Sequence, residues 1–336
     1  MLKVRIVRSL PEDEWRRFVA GHPQGNVFHT PEMFRVFDRV PGYSPELWAA
    51  SEDDRILVLW LPVRITLKDG LFRALSTRSV VYGGVLCAPG SEGLEALSVL
   101  LGAYNREVRR SPLMTESRNV SDASPFQGVF QEHGFAFEEH LNYQLDLDRP
   151  ESVLWRGLSR SIRRHVHLAQ DRGLVLEDLA EKESLETAYG FLKDVFKRVR
   201  VPLAGFELFE GATDILRPRG MLKVLMARVA GRGVGTRFVL TYKGTILDWY
   251  AGYDRAYSKY YPEESMIWET LRWGQDNGFH LFDFGGAGKS GKYYGPREFK
   301  AKWGGTQVNY GRNTRIHGAF RIRLSKAAYR LWQLRF

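Results

Sequence analysis

With 336 residues, 44% of them hydrophobic and 26% charged, the chain exceeds what one ordinary core fills and reads as two soluble globular domains. Its single cysteine, Cys87, excludes an internal disulfide and a cysteine-built zinc cluster and fits a reducing cytoplasm. The net charge of +10 calls for a partner that tolerates or seeks a basic surface.

The N-terminal MLKVRIVRSLPEDEW carries charges where a secretory leader needs an unbroken apolar stretch. Within it, Lys3–Val7 reads as a strand and Pro11–Ala20 as a helix that opens on acids; Pro31–Phe37 follows as a second short helix. Two strands, Leu47–Ala50 and Arg55–Arg64, flank the turn Ser51-Glu52-Asp53-Asp54. The longest strongly apolar run, Ile56 to Val63, lies here and is far below the ~20 residues a membrane span requires. Next come a strand over Val80–Leu86, a helix over Leu94–Val108, a strand near Leu113–Arg118, a helix ending at His133-Gly134, and a strand over Phe135–Leu147. Arg149-Pro150 marks the expected boundary, giving domains 1–149 and 150–336.

The second half repeats this order, as a duplicated α/β fold would. A helix over Val153–Asp171 precedes strand Val175–Asp178 and a helix over Ser184–Arg198. Strands Met221–Val229, Thr236–Tyr242 and Thr245–Tyr253 follow. A helix from Pro262 to Asn277, with acids Glu263 and Glu264 in its first turn and Gly278 past its end, leads into strand His280–Phe284. From Phe284 to Phe336 twelve Lys/Arg stand against one acid, Glu298, so this tail carries +11 and the residues before it −1. Such a surface concentrates a polyanion: a nucleotide diphosphate, RNA, or an anionic membrane face.

Several motifs fail on context. Gly288-Lys289-Ser290 resembles the end of a P-loop, but the first glycine of that motif falls at Asp283, and Gly291, Gly295 and Pro296 break the helix it must open. Asp283-Phe284-Gly285 lacks the other kinase signatures. Arg228-Val229-Ala230-Gly231-Arg232-Gly233 fits the phosphate loop of acetyl-CoA-dependent acetyltransferases, yet strand residues follow it, so a hairpin turn is expected. The strand–helix junction Asp254–Glu264, where such a loop belongs, contains no glycine. His165 and His167, two apart on a helix, point in different directions, and no metal site is expected.

On helix Val153–Asp171, Arg156, Arg160, Arg163 and Arg164 form one stripe and Leu154, Leu158, Ile162, Val166 and Ala169 the opposing one. The commoner meaning of a basic stripe is a solvated face; the alternative is an anion-binding wall, since arginine's planar fork suits phosphate. The segment Leu324–Phe336 aligns Leu324, Ala328, Leu331, Trp332 and Phe336 on one helical side, so peripheral membrane contact through 315–336 or docking on the core are its two readings.

The runs Tyr253–Glu264 (YDRAYSKYYPEE), MIWETLRWGQDNG, FDFGG and REFKAKWGG (Arg297–Gly305) together resemble the Fem peptidyltransferases. Helix Ser159–Gly173 and, in the first half, Asn26–Phe34 and Tyr82-Gly83-Gly84-Val85 are similar to that family's signatures as well. The resemblance implies an α/β (α+β) chain of two tandem GNAT-like acyltransferase domains with mixed central sheets. It implies aminoacyl transfer from aminoacyl-tRNA to an amine on a phosphate-bearing cell-wall precursor, with no metal; the donor is a co-substrate and no cofactor is expected. The single cysteine and the 315–336 segment set the expected location as the cytoplasm, peripheral to the inner membrane face. The position of Lys300 matches an active-site lysine of the family. An acyl-CoA donor, or a non-catalytic RNA- or membrane-binding role, are the rival readings. The family's helical arm has no room in Leu174–Gly220.

Aminoacyl transfer needs a neutral amine, an ester carbonyl, and a positive or hydrogen-bonding group for the developing oxyanion. Lys300 and Asp283 are the expected catalytic pair, the first for the oxyanion or the donor's phosphate and the second for the attacking amine. The alternative for Asp283 is a cap on the glycine turn. Arg160, Arg163, Arg164, Lys289, Lys292, Arg297 and Lys302 are expected to bind anions, and Tyr253, Tyr260 and Tyr261 to offer hydroxyls and stacking faces.

Overall fold

The computed structural model describes residues 3–325 apart from 54, 68–69, 71–72, 109–110 and 180–181. The chain forms two compact units, Met1–His140 with Tyr310–Phe336, and Leu141–Asn309.

The first unit runs β1 (Arg5–Val7), α1 (Glu12–Gly21), α2 (Pro31–Asp38), β2 (Tyr43–Pro45), β3 (Trp48–Glu52), β4 (Arg55–Trp60), β5 (Pro62–Thr66), α3 (Arg73–Ser76), β6 (Thr77–Gly83), β7 (Leu86–Cys87), α4 (Gly90–Glu107), β8 (Met114–Asn119), α5 (Gln127–Glu132) and β9 (Ala136–Glu138). One sheet is ordered β1-β3-β4-β7. β4 and β5 are a single stretch interrupted at Leu61, which lets it serve two sheets. Helix α4 sets Ala96, Leu97, Leu100, Leu101 and Tyr104 into a core with Trp48, Trp60, Phe130 and Phe135. The rings there meet mostly edge to face, as their quadrupoles prefer.

The second unit opens on β10 (Leu141–Asp146) and continues α6 (Glu151–Gly157), α7 (Arg160–Asp171), β11 (Leu174–Asp178), α8 (Lys182–Val199), α9 (Phe206–Ile215), β12 (Leu222–Val229), β13 (Arg232–Tyr242), β14 (Thr245–Tyr253), α10 (Pro262–Asp276), β15 (Leu281–Asp283), α11 (Gly295–Ala301) and β16 (Thr306–Asn309). Its seven-stranded mixed sheet is ordered β11-β12-β13-β14-β15-β10-β16, with β14 and β15 parallel and the other pairs antiparallel. Trp303, fully buried, packs with Phe282, Phe284, Ile162 and Leu271 at the centre of its core. Gly304, at φ +76°, lies so close to Gly157 that a Cβ would meet the Gly157 carbonyl at 2.6 Å, so the Trp303-Gly304 turn and the end of α6 are in backbone contact. A last strand, β17 (Arg312–Ile316), inserts between β8 and β9 and completes the first unit's second sheet, β2-β5-β6-β8-β17-β9.

Several expectations are corrected. The boundary falls at residues 140/141 rather than 149/150, and the basic tail from Tyr310 returns to the first unit instead of ending the second. The strand expected over Phe135–Leu147 is two strands, because Glu139-His140 carries the chain from one unit's sheet to the other's. The helix expected over Val153–Asp171 is also two: Leu158 turns to extended backbone, and Ser159 caps α7 by accepting from the Ile162 N–H. Helix α9 and strands β16 and β17 were not anticipated. Gly231 sits at φ +79° in the β12–β13 hairpin, as the reading of Arg228–Gly233 requires. In the tail, Ile322 is buried on a helical turn over 319–325; residues 326–336 of the membrane-contact segment lie outside the described residues.

Candidate functional site

The second unit's sheet contains an opening. Parallel strands β14 and β15 pair only over Thr245↔Leu281, Ile246↔Phe282 and Leu247↔Asp283, and beyond Leu247 β14 runs on to Tyr253 with no β15 partner. A bulge between Phe238 and Val239 in the β13 register, which skips Trp249, bends β14 at this point. In the first unit the corresponding parallel pair, β6 and β8, stays closed from Ser79↔Thr115 to Gly83↔Asn119. Among the described residues the splayed parallel pair is therefore a property of the second unit.

Charged side chains gather where β14 and β15 part. Arg237 of β13 is 1% exposed, donates from Nη1 to Asp248 Oδ1 of β14 at 2.5 Å, and lies 3.9 Å from Glu263 of α10. Its Nε is buried without a partner among the described residues. Lys300 of α11 directs its ammonium at the turn after β15, donating to the carbonyls of Phe284 (2.5 Å), Gly286 (3.0 Å) and Gly285 (3.3 Å). Burial pulls the Lys300 pKa down, opposed by the carboxylates of Asp248 and Asp283. Burial pushes the Glu263 carboxyl up, against the pull of Arg237.

Asp283 ends β15 and is 2% exposed. Its Oδ1 accepts from Asn142 Nδ2 (2.6 Å) and the Gly285 N–H (2.7 Å), and its Oδ2 accepts from Gln144 Nε2 (2.9 Å). Burial raises its pKa despite these donors. Asp283 thus ties the glycine turn to β10 instead of presenting a carboxylate to a ligand. Lys300 grips the same turn from its other side, so acid and lysine share one structural object.

The remaining expected residues divide into those that hold backbone and those that face solvent. Arg163 Nη1 donates to the carbonyls of Leu158 (2.6 Å) and Arg156 (3.0 Å), closing the C-terminus of α6. Arg297 donates to the carbonyls of Lys289 (2.8 Å) and Lys292, lacing the 289–292 loop. Arg160, Arg164, Lys289, Lys292 and Lys302 have exposed side chains. The Ser159 N–H donates to the Lys302 carbonyl at 2.8 Å, which sets the start of α7 beside the end of α11. Tyr253 and Tyr260 are half-buried, and burial raises the Tyr253 pKa. Tyr261 stands at φ +52° just before α10, its ring stacked on His165 at 4.0 Å.

Sequence reasoning passed over Arg237, Asp248 and Glu263. The signal was present: Arg237 is the one charge in Gly233–Tyr242 and Asp248 the one charge in Thr245–Tyr253, each interrupting an otherwise uncharged strand. In the first unit, Glu116 accepts from Arg118 Nε at 2.6 Å and lies 3.4 Å from Arg312 Nη1, while Arg312 Nη2 meets His140 Nε2 at 2.7 Å. This basic cluster was equally unforeseen.

The N-terminus of α10 lies at the strand–helix junction where a CoA-binding glycine loop would be expected, and its first turn is acidic. Pro262 at the first position offers no N–H, and Glu263 and Glu264 occupy the first turn. Glu264 Oε1 is bound to His165 Nδ1 at 2.9 Å.

Residues 156–301, which lie within the second unit, match the family model described as an acetyltransferase (GNAT) domain. The whole chain shares the fold of FemX, at 14% identity over 98% of this chain and 100% of that one, with a TM-score of 0.72. It has the same likeness to L-PGS from Bacillus licheniformis (13% identity, 94% and 96% covered, TM-score 0.61). A tandem GNAT protein from the clavulanic acid biosynthesis pathway is similar too (13%, 94% and 99%, 0.59). No curated protein matches the chain. The expected fold, tandem GNAT-like α/β units with mixed sheets, is the observed one.

Proposed function

We propose that the chain moves an aminoacyl group from an aminoacyl-tRNA ester onto the amine of a phosphate-bearing acceptor such as a cell-wall precursor, with the transfer centred at the β14/β15 opening. The observation that carries the donor reading is the start of α10. Where a CoA pyrophosphate needs free N–H groups and a positive helix end, this chain has a proline, two carboxylates and a histidine already engaged. Likeness to FemX and to L-PGS supports an aminoacyl-type donor as well.

The chemistry follows from the charges at the opening. The acceptor amine attacks the ester carbonyl, a C–N bond forms, the ester C–O bond breaks, and the ribose hydroxyl leaves with a proton. Lys300 can exchange its longest bond, the 3.3 Å contact to Gly285, for the oxyanion that develops on the carbonyl. Glu263, its side chain 38% exposed and 3.9 Å from Arg237, is accessible to an acceptor ammonium and suits the role of proton acceptor, its carboxyl shifted upward by partial burial. Asp283, fully hydrogen-bonded, acts as a positioning residue that fixes the turn Lys300 grips.

A second reading, acyl-CoA-dependent N-acylation, rests on the match of 156–301 to an acetyltransferase domain. Mass spectrometry of amine acceptors incubated with charged tRNAs or with acyl-CoAs separates the two. Products from charged tRNA alone are expected, and products from acyl-CoA alone would overturn the donor reading.

A further inference from the structure

The loop between β15 and α11 presents an aromatic ring that no packing requirement explains. Tyr293 is 87% exposed, the most exposed large hydrophobic side chain among the described residues. The loop under it is nonetheless well anchored. The Leu141 N–H donates to the Gly288 carbonyl at 2.8 Å, and the Arg297 guanidinium holds the carbonyls of Lys289 and Lys292. Gly288, at φ +78°, receives the ring of Tyr294, which a Cβ would meet at 2.9 Å. Tyr294 thus holds the loop, while Tyr293, next to the exposed Lys292, leaves most of its ring in solvent with only its hydroxyl near Gly295.

Tyr294 is also the N-cap of α11, the helix that carries Lys300. Lys300 lies six positions beyond Tyr294, about 9 Å of axial rise. An exposed aromatic on a braced loop with a lysine at its flank, one short helix from a cationic centre, matches what an unpaired nucleic-acid end requires. Bases stack on the ring, phosphates meet the lysine, and little loop entropy remains to be lost. Glu298, exposed on α11, is the acid of this stretch, against Lys289, Lys292, Arg297, Lys300 and Lys302.

We propose that Tyr293 is the stacking platform for an unpaired nucleotide of the donor's single-stranded 3′ end, with Lys292 contacting its backbone. The proposal rests on the aminoacyl-tRNA reading and adds the residues that receive the RNA.

The test is fluorescence anisotropy of the full chain with a labelled unstructured RNA oligonucleotide ending in CCA, beside a blunt-ended RNA hairpin of equal length and charge. The single strand is expected to bind more tightly than the hairpin. Tyr293→Ala should weaken it about tenfold, within the range of one lost base–aromatic stack, whereas Tyr293→Phe and Tyr293→Trp should retain binding. Lys292→Ala should lower the salt slope by ~0.7. Because the ring is exposed, its truncation removes no core packing, and a circular dichroism melt coincident with wild type confirms the fold. Equal binding of single strand and hairpin, or unchanged affinity in Tyr293→Ala, would overturn the proposal, as would a Phe variant as weak as the Ala variant. The two readings fail separately. Transfer from acyl-CoA alone removes the donor reading, whereas transfer from charged tRNA with an unaltered KM in Tyr293→Ala removes the platform alone.

Discussion

Replacing Lys300 tests the site at two levels. Methionine at 300 keeps most of the chain's volume and removes the ammonium. Three carbonyls then lose their donor, and they are not equivalent: Gly286 is exposed and Gly285 half-buried, so water can serve them, whereas Phe284 is buried. An unsatisfied buried carbonyl costs about 1–3 kcal/mol. Removing the ammonium also relieves the cost of burying it, which outweighs the pull of Asp248 and Asp283, so the net destabilisation expected in urea unfolding is about 1–3 kcal/mol. Turnover should fall further than stability explains, by about 10²–10³, if the ammonium also meets the oxyanion. That loss should appear in kcat at temperatures where the variant is fully folded. Lys300→Arg should recover part of the stability and little of the rate, because a planar fork does not reproduce a point-like ammonium among three carbonyls. Near-normal kcat in folded Lys300→Met would confine Lys300 to bracing the turn. A stability within about 0.5 kcal/mol of wild type would contradict the contacts themselves.

Arg237→Met should cost about 3–5 kcal/mol by leaving Asp248 buried without its partner, and adding Asp248→Leu should restore most of it; an additive double mutant in denaturant titrations would show the pair to be uncoupled. His29 is fully buried with Nδ1 accepting from the Asn26 N–H and Nε2 facing the Gly84 carbonyl, a neutral tautomer, and burial holds its pKa at about 4 against 6.5. A folded pKa below the unfolded one gives stability that is complete above pH 6.5 and lost as pH falls toward 4, so wild type should lose about 2 kcal/mol more than His29→Gln between pH 7 and pH 5. Equal slopes for the two proteins would refute that assignment. Millimolar CoA should leave the melting temperature of the protein unchanged, since the start of α10 repels a pyrophosphate; a rise of several degrees, as binding at 100-fold above Kd would produce, would reopen the acyl-CoA reading.

Much of this protein was legible locally. Helix α10 announced itself through Pro262, two acids in its first turn and Gly278 past its end, and the Arg228–Gly233 segment read as a hairpin because apolar strand residues flank its glycines. Such signals lie within a few contiguous residues, where capping, turn geometry and hydrophobic period act directly on the backbone. The likeness of REFKAKWGG to a known family singled out Lys300, and the structure turns its ammonium to the carbonyls of Phe284, Gly285 and Gly286. Tertiary structure alone decided which partner each charge meets. Arg163 and Arg297, indistinguishable in sequence from arginines that face solvent, turn to backbone carbonyls. Asp283 is enclosed by Asn142 and Gln144, some 140 residues earlier in the chain, and Arg237 finds Asp248 across a bulged strand pair. The return of β17 to the first unit's sheet likewise depends on an open position between β8 and β9 that no local pattern displays. A charge in isolation specifies only that it needs water or a partner; the register of distant strands determines which one it gets.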